Sequence, residues 1–547
     1  MAARFQTYWQ KFRRNFDRWS VVALLLTLFI IVPTVFLLLQ LIDGPGESWG
    51  HFVENLLPKY LQNSLYLAVV CSVLTLLLGV SSAWFSTRYD FPLRRSLEWL
   101  LILPLAIPSY ITAYAYAGVF DYGGPVESLL QGLSPEAAKV DIMNIHGLAM
   151  VLSVSLYPYV YVACRAFFLH QSQSLIEASQ VLGQNQVRSF FRLILPLARP
   201  AIVGGVILVL MEVLNDYGAA KYFGVNTFTT GIFKSWFGYE EFNTATYLAA
   251  LLLVIIFSLI LIEQRQRRRK RFVVDGKGGK RLARIRLRGT RGFLVTAVVG
   301  LPVVLGFLIP VAQLLYWAVQ VYSQVAWGEY FSVAGQSLAI AGMAAALCVI
   351  LATALLLAGH WNRLRWIGWL TKLGVLGYAI PGAVIAIGVY IPGLVIDKWL
   401  IRTAEATFST KIGLVLTGTV IALIYAYIVR FLAVAFNPIS AGKQKVQNSL
   451  LEASQSLGKG PWATFFRIEL PLLQPALLGA FILVFIDVMK ELPLTLILKP
   501  YNVQTLAIEA YQYASDERIM EAAFPSLTIV AVGVLPVIFL NRLIRQD

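Results

Sequence analysis

The chain has 547 residues, of which 58% are hydrophobic and only 14% are charged, against about 25% charged in soluble globular domains. That deficit excludes a soluble chain, and apolar runs that are continuous rather than alternating exclude a membrane β-barrel. The formal net charge of +16 is concentrated in one loop, where aromatic residues do not alternate with the basic ones, which argues against a nucleic-acid partner.

The first apolar run, Val21 to Ile42, follows a segment carrying Arg4, Lys11, Arg13, Arg14 and Arg18. A bilayer crossing takes about 20 helical residues, so this run is long enough. It exceeds the apolar part of a secretory signal, and the IDGPGES after it offers no small-x-small cleavage site, so a retained first span is expected. Twelve spans are predicted in all: 20–42, 62–86, 97–120, 147–169, 200–220, 245–263, 292–320, 333–358, 366–391, 412–436, 473–490 and 524–541. The fold class is therefore all-α, a polytopic membrane protein. Between the sixth and seventh spans, segment 264–291 holds 13 Lys or Arg and one Asp. Basic loops stay cytoplasmic, Gly276, Gly278 and Gly279 suggest a flexible linker, and the basic groups suit anionic lipid headgroups.

With the N-terminus inside, the other cytoplasmic loops carry Arg88, Arg94, Arg95, Arg363, Arg365, Lys443, Lys445, Arg542 and Arg545. The outer loops carry Asp43, Glu47, Asp121, Glu127, Glu136, Asp141, Glu240 and Glu241 with few basic residues. Both termini are then cytoplasmic. Cys71, Cys164 and Cys348 lie far apart in apolar runs and point to neither a disulfide framework nor a thiolate metal site. His51, His146, His170 and His360 are equally scattered.

The chain repeats itself. Glu177 to Pro200 reads EASQVLGQNQVRSFFRLILPLARP and Glu452 to Pro475 reads EASQSLGKGPWATFFRIELPLLQP, with 13 of 24 positions identical at an offset of 275. Gln62-Asn63-Ser64-Leu65 recurs in part as Gln336-Ser337-Leu338, Ala106-Ile107-Pro108 as Ala379-Ile380-Pro381, and Pro33 has a counterpart in Pro310. Two homologous halves of about six spans are expected. Because six is even they share one orientation, with any pathway at the interface between them. The expected divisions are 1–60 for the N-terminal segment, first span and outer loop; 61–263 for a first core containing the loop 173–196; 264–291 for the linker; 292–332 for the seventh span and its loop; and 333–547 for a second core containing the loop 447–471.

Glu177, Ala178, Gly183 and Pro196, with Glu452, Ala453, Gly458 and Pro471, resemble the EAA loop of ABC-type importer permeases. Arg192 and Arg467 recur beside them, and Ser179 and Ser454 stand where the pattern has its second alanine. A short helix ended by a glycine in the left-handed region, then a second helical stretch, makes an elbow. The resemblance implies a type I importer permease fold whose elbows dock on a cytoplasmic ABC ATPase, two copies per chain. The glutamate would bond a partner cation and the aromatics would fill a groove. The alternative is an amphipathic helix lying on the lipid interface. No G-x-x-x-x-G-K-[ST] occurs, so the chain is expected not to be an enzyme and to hold no cofactor stably, ATP and magnesium belonging to the partner.

After each elbow come paired acids: Glu212 and Asp216, then Asp487 and Glu491, again offset by 275. Four residues apart, each pair should share one helical face. At about 1.5 Å per residue they lie in the outer half of the membrane, where ionisable groups usually face a pathway. Two readings stand: all four line the translocation path and transiently bind a hard metal cation, or Lys490 pairs with Asp487 while Asp216 and Glu491 cap broken helices. Leu214-Asn215-Asp216-Tyr217-Gly218, Lys490 to Thr495 and Ala514 to Arg518 resemble the fused permeases of bacterial ferric-iron importers. That resemblance implies an inner-membrane subunit receiving Fe(III) from an extracytoplasmic iron-binding protein. Related permeases carry thiamine, polyamines or sulfate. A secondary transporter or channel would explain the spans and acids but not the paired elbows. A membrane enzyme would need a constellation such as H-E-x-x-H or G-x-S-x-G, neither of which occurs.

Overall fold

In lipid a backbone amide finds no partner outside its own segment, so each long apolar run closes its hydrogen bonds as a helix. The structure, a computed structural model, describes residues 18–47, 49–133, 141–169, 173–269, 284–361, 374, 376–409 and 413–544. Among these residues nine helices are long and apolar enough to cross a bilayer, and two bent pairs raise the number to eleven. Helix Ala523–Ile544 occupies the twelfth expected position. The glycines of the basic linker, the predicted span's start at 366–373, and His170 lie outside the described residues.

Four predicted spans need correction. Span 97–120 is not straight: Arg94–Ala106 and Ser109–Val119 meet at 96°. The break falls at Ile107–Pro108, because proline pushes the residue before it out of the helical region, and Ile107 sits at φ −99°, ψ 118°. Ile380–Pro381 repeats the break, and Pro108 and Pro381 share φ −55°, ψ 143°. The helix predicted to end at 391 therefore starts at Gly382 and runs to Phe408. The span predicted over 200–220 stops at Asn215, where Asp216 turns to ψ 124°. The tenth span starts later than predicted, at Val420. The chain before it wraps the buried Asp397 carboxylate, which accepts from the amides of Val415, Leu416 and Thr417 at 3.0, 2.9 and 2.8 Å.

The chain divides into two compact units, Met1–Pro45 with Gly328–Ile508, and Gly46–Trp327 with Glu509–Asp547. These are not the divisions expected from the repeat. The first span joins the unit of the second repeat, while the seventh span and residues 509–547 join the unit of the first.

In the first of these units, helix Arg18–Asp43 packs on Gly382–Phe408. Gly388 lets the backbones approach: a Cβ there would lie 2.8 Å from the Pro33 carbonyl. Pro33 has no N–H, so the carbonyl four residues earlier loses its helix partner. That carbonyl belongs to Phe29, and the Tyr425 hydroxyl donates to it at 2.5 Å. In the other unit, the seventh span widens to a π turn over Val304–Leu308 just before Pro310. Here the orphan is the Leu305 carbonyl, five residues back, and Tyr116 donates to it at 2.7 Å. The first and seventh spans thus each carry a proline whose freed carbonyl is satisfied by a tyrosine of the repeat they join. Small residues set the close contacts of this second unit, as usual between helices in lipid. A Cβ on Gly79 would lie 2.7 Å from Val160, and a Cβ on Gly118 would collide with the Trp317 ring.

Candidate functional site

The elbows are built alike. Helices Gln173–Val181 and Asn448–Ser456 end at glycines with φ +77° and +73°. The Gln184 amide returns to the Ser179 carbonyl at 3.1 Å, and the Lys459 amide to the Ser454 carbonyl at 3.1 Å. This six-to-one bond with a left-handed glycine just after the helix is a Schellman cap. The chain then re-enters a helix and widens to a π turn over Phe190–Ile194 and over Phe465–Glu469.

The serines that depart from the family pattern tie the two arms together. The Ser179 and Ser189 hydroxyls lie 2.6 Å apart, and those of Ser454 and Thr464 lie 2.8 Å apart, all four residues buried. Ser179→Ala and Ser454→Ala should each lower stability by about 1 kcal/mol, because a buried hydroxyl partner loses its bond. Denaturant titration of the detergent-solubilised protein checks this. An unchanged midpoint in both variants contradicts a clamp.

Anchoring differs between the copies. In the first, the Trp84 ring lies 5.4 Å from Phe168 and 4.8 Å from Phe190. Arg88 donates to Gln173 at 3.2 Å, and Gln173 to Glu177 at 3.2 Å. In the second, Lys443 pairs with the buried Glu469, while the positions 275 earlier hold the buried Phe168 and Ile194. The first elbow is held by aromatic packing and a hydrogen bond from Arg88, the second by an ion pair.

What the elbows present is the same. Glu177, Ala178, Gly183 and Arg192 are exposed, as are Glu452, Ala453, Gly458 and Arg467; Pro196 is half-buried and Pro471 exposed. Leu182 and Leu457 are 80% and 79% exposed, Phe191 and Phe466 60% and 56%. Large apolar groups left in the open at matched positions mark a contact surface.

The four acids take the second of the two arrangements, Lys490 pairing with Asp487 and both Asp216 and Glu491 capping the short helices that follow them. Neither pair shares one helix face, because the helices end between their members, at Asn215 and Met489. Glu212 is half-buried and accepts from the Tyr159 hydroxyl at 3.3 Å. Asp216 is buried, accepts from the Ser109 hydroxyl, and caps the short helix after it through the Ala220 amide at 3.0 Å. Asp487 pairs with Lys490 at 2.8 Å. Glu491 is buried, pairs with Arg430 at 3.0 Å and accepts from the Leu494 amide at 3.1 Å. Among the described residues no three His, Cys, Asp or Glu side chains gather as a metal centre requires.

Sequence reasoning missed Arg430, Asp397 and Ser109. The first two carried a signal, a charged residue inside an apolar run. Ser109 carried none beyond following Pro108. Its counterpart after Pro381 is Gly382, where a Cβ would collide with the Arg430 guanidinium. The glycine makes the room that the ion pair fills.

The paired elbows, each at the end of a buried helix, settle where the chain is placed among known proteins. The family of binding-protein-dependent transport system inner membrane components matches it twice, over residues 75–271 and 351–547. The chain belongs to this family. It is an inner-membrane, multi-pass transport permease with two copies of the family's core. It is similar to the Fe(3+)-transport system permease protein FbpB 2 of Haemophilus influenzae, 26% identical over 96% of this chain and 97% of the relative. It is similar to the ferric transport system permease protein FbpB of Actinobacillus pleuropneumoniae, 23% identical over 86% of this chain and 69% of that one. The sulfate transport system permease protein CysT of Salmonella typhimurium is 27% identical over 37% of this permease and 72% of its own length.

Proposed function

We propose that this permease carries ferric iron, delivered by an extracytoplasmic binding protein, into the cytoplasm. Two copies of an ABC ATPase drive it, one docked beneath each elbow, and both termini lie on the ATPase side. The observation that carries the reading is the duplicated elbow. The same cap, the same exposed glutamate and the same exposed leucine and phenylalanine recur at one constant offset, as two identical partners require. Ferric iron is favoured over sulfate because the ferric permeases match nearly the whole chain. Glu212, Asp216, Asp487 and Glu491 are assigned to the translocation path with unequal roles, since Asp487 and Glu491 each hold a cation of the chain itself.

The test is uptake into vesicles holding the purified permease, its ATPase and its binding protein. Labelled ferric iron should accumulate only with ATP, while thiamine, putrescine and sulfate should stay near background. Accumulation of one of those solutes in place of iron removes the substrate assignment. Uptake driven by an ion gradient without ATP removes the importer reading altogether.

A further inference from the structure

A cavity of about 620 Å³ opens in the unit of the first repeat, at the end of helix Ile145–Leu169 away from the elbow. Among the described residues, Asp121, Asp141 and Glu517 line it together with Lys221. Tyr222 lines it too, and from there tyrosines continue inward. The Tyr222 ring packs 4.6 Å from Tyr114, and Tyr114 lies 5.8 Å from Tyr110. Tyr217 is stacked on Phe233 at 3.6 Å, which sets its ring, and its hydroxyl lies 3.3 Å from that of Tyr511. Asp216 is the next residue along.

Two features, taken together, mark this group. The Tyr114 side chain is 1% exposed, and its hydroxyl has no hydrogen-bond partner among the described residues. A buried hydroxyl normally has one. The second repeat also lacks the group: Tyr110, Tyr114, Tyr217 and Tyr222 correspond to Ala383, Ile387, Leu492 and Ile497. The carboxylates differ in the same sense. Glu491 is neutralised by Arg430, whereas the partners of Asp216 are a serine hydroxyl and backbone amides. Among the described residues, oxygen donors with no ion pair of the chain therefore gather in the unit of the first repeat, with Tyr511 supplied by the second.

We propose that Asp216 with the phenols of Tyr114, Tyr217 and Tyr511 forms a station that ligates a hard trivalent cation on its way through the permease. The inference rests on the ferric reading above and narrows it to one of the two compact units. Carboxylate and phenol oxygens are hard donors, matched to such an ion rather than to a soft one. Each phenol that ligates the ion gives its proton to a water leaving the ion's hydration shell, and no electron moves. The acids of the cavity raise the local concentration of cations at its mouth.

The experiment uses the full permease with its partner proteins in vesicles and ferric nitrilotriacetate as the probe. Wild type should develop the visible phenolate-to-iron charge-transfer absorption. The triple variant Tyr114→Phe, Tyr217→Phe, Tyr511→Phe should lose that band and about tenfold in iron uptake, while eluting as a folded complex. Tyr157→Phe, at another buried tyrosine without a hydrogen-bond partner, should keep both. If wild type transports iron without the band, or the triple variant keeps band and uptake, the station is overturned and the ferric reading stands. If wild type transports no iron, both fall.

Discussion

Glu177→Ala combined with Glu452→Ala should strip the ATPase from the permease and reduce ATP-driven uptake by about tenfold or more. Each glutamate stands exposed on an elbow helix whose far end is locked by a left-handed glycine. Removing a charge-assisted bond to a partner cation costs about 1.5–3 kcal/mol at each site, and about 1.4 kcal/mol is a factor of ten in affinity. The single variants should lose less, since one docked elbow keeps the second ATPase copy at high effective concentration. Co-purification of the ATPase with each variant measures this directly. The variants leave the buried hydroxyl pairs and the Schellman caps untouched, so the permease should elute unchanged. A double variant that retains two ATPase copies and wild-type uptake contradicts docking through these glutamates and returns the elbows to the lipid-interface reading.

Arg430→Met should be strongly destabilising. Arg430 and Glu491 are 3.0 Å apart, with side chains 9% and 6% exposed. Removing one partner of a buried pair leaves an uncompensated charge and typically costs about 3–5 kcal/mol. Little folded permease should survive detergent extraction. Arg430→Met with Glu491→Gln removes both charges and should recover most of the yield, because an amide can still accept from the Leu494 amide. Gly382→Ala should act like the single variant, since its Cβ collides with the guanidinium. Thermal unfolding of the three proteins decides the point. If Arg430→Met is as stable as wild type, the ion pair is not what holds Pro381 and the broken helix after Met489 together.

Much of the elbow was legible. The glycine after a short helix, the exposed glutamate and the second helical stretch follow from local rules, because a cap is made within a few residues of the chain. The role of Ser179 was not legible. As a departure from the family pattern it reads as neutral, and only the fold brings Ser189 to 2.6 Å from it. The acids show the limit from the other side. Spacing put Glu212 and Asp216 on one helix face, yet Asp216 leaves the helix to cap the next one. The dipeptides Ile107–Pro108 and Ile380–Pro381 carried a break signal that a hydropathy window averages away.

Sequence by itself determined that this chain crosses a membrane many times, that it is written twice, and that both copies carry the same elbow. Lipid forces each apolar run to satisfy its own backbone, so run length is enough to find a span. Tertiary structure alone decided which spans share a unit, with the first, seventh and last helices each joining the opposite repeat. It alone decided which acids keep a cation of their own. Helices in lipid choose partners by close packing at small residues and by interhelical polar contacts. Those contacts, such as Tyr425 to the Phe29 carbonyl or Arg430 to Glu491, join residues that no spacing along the chain relates.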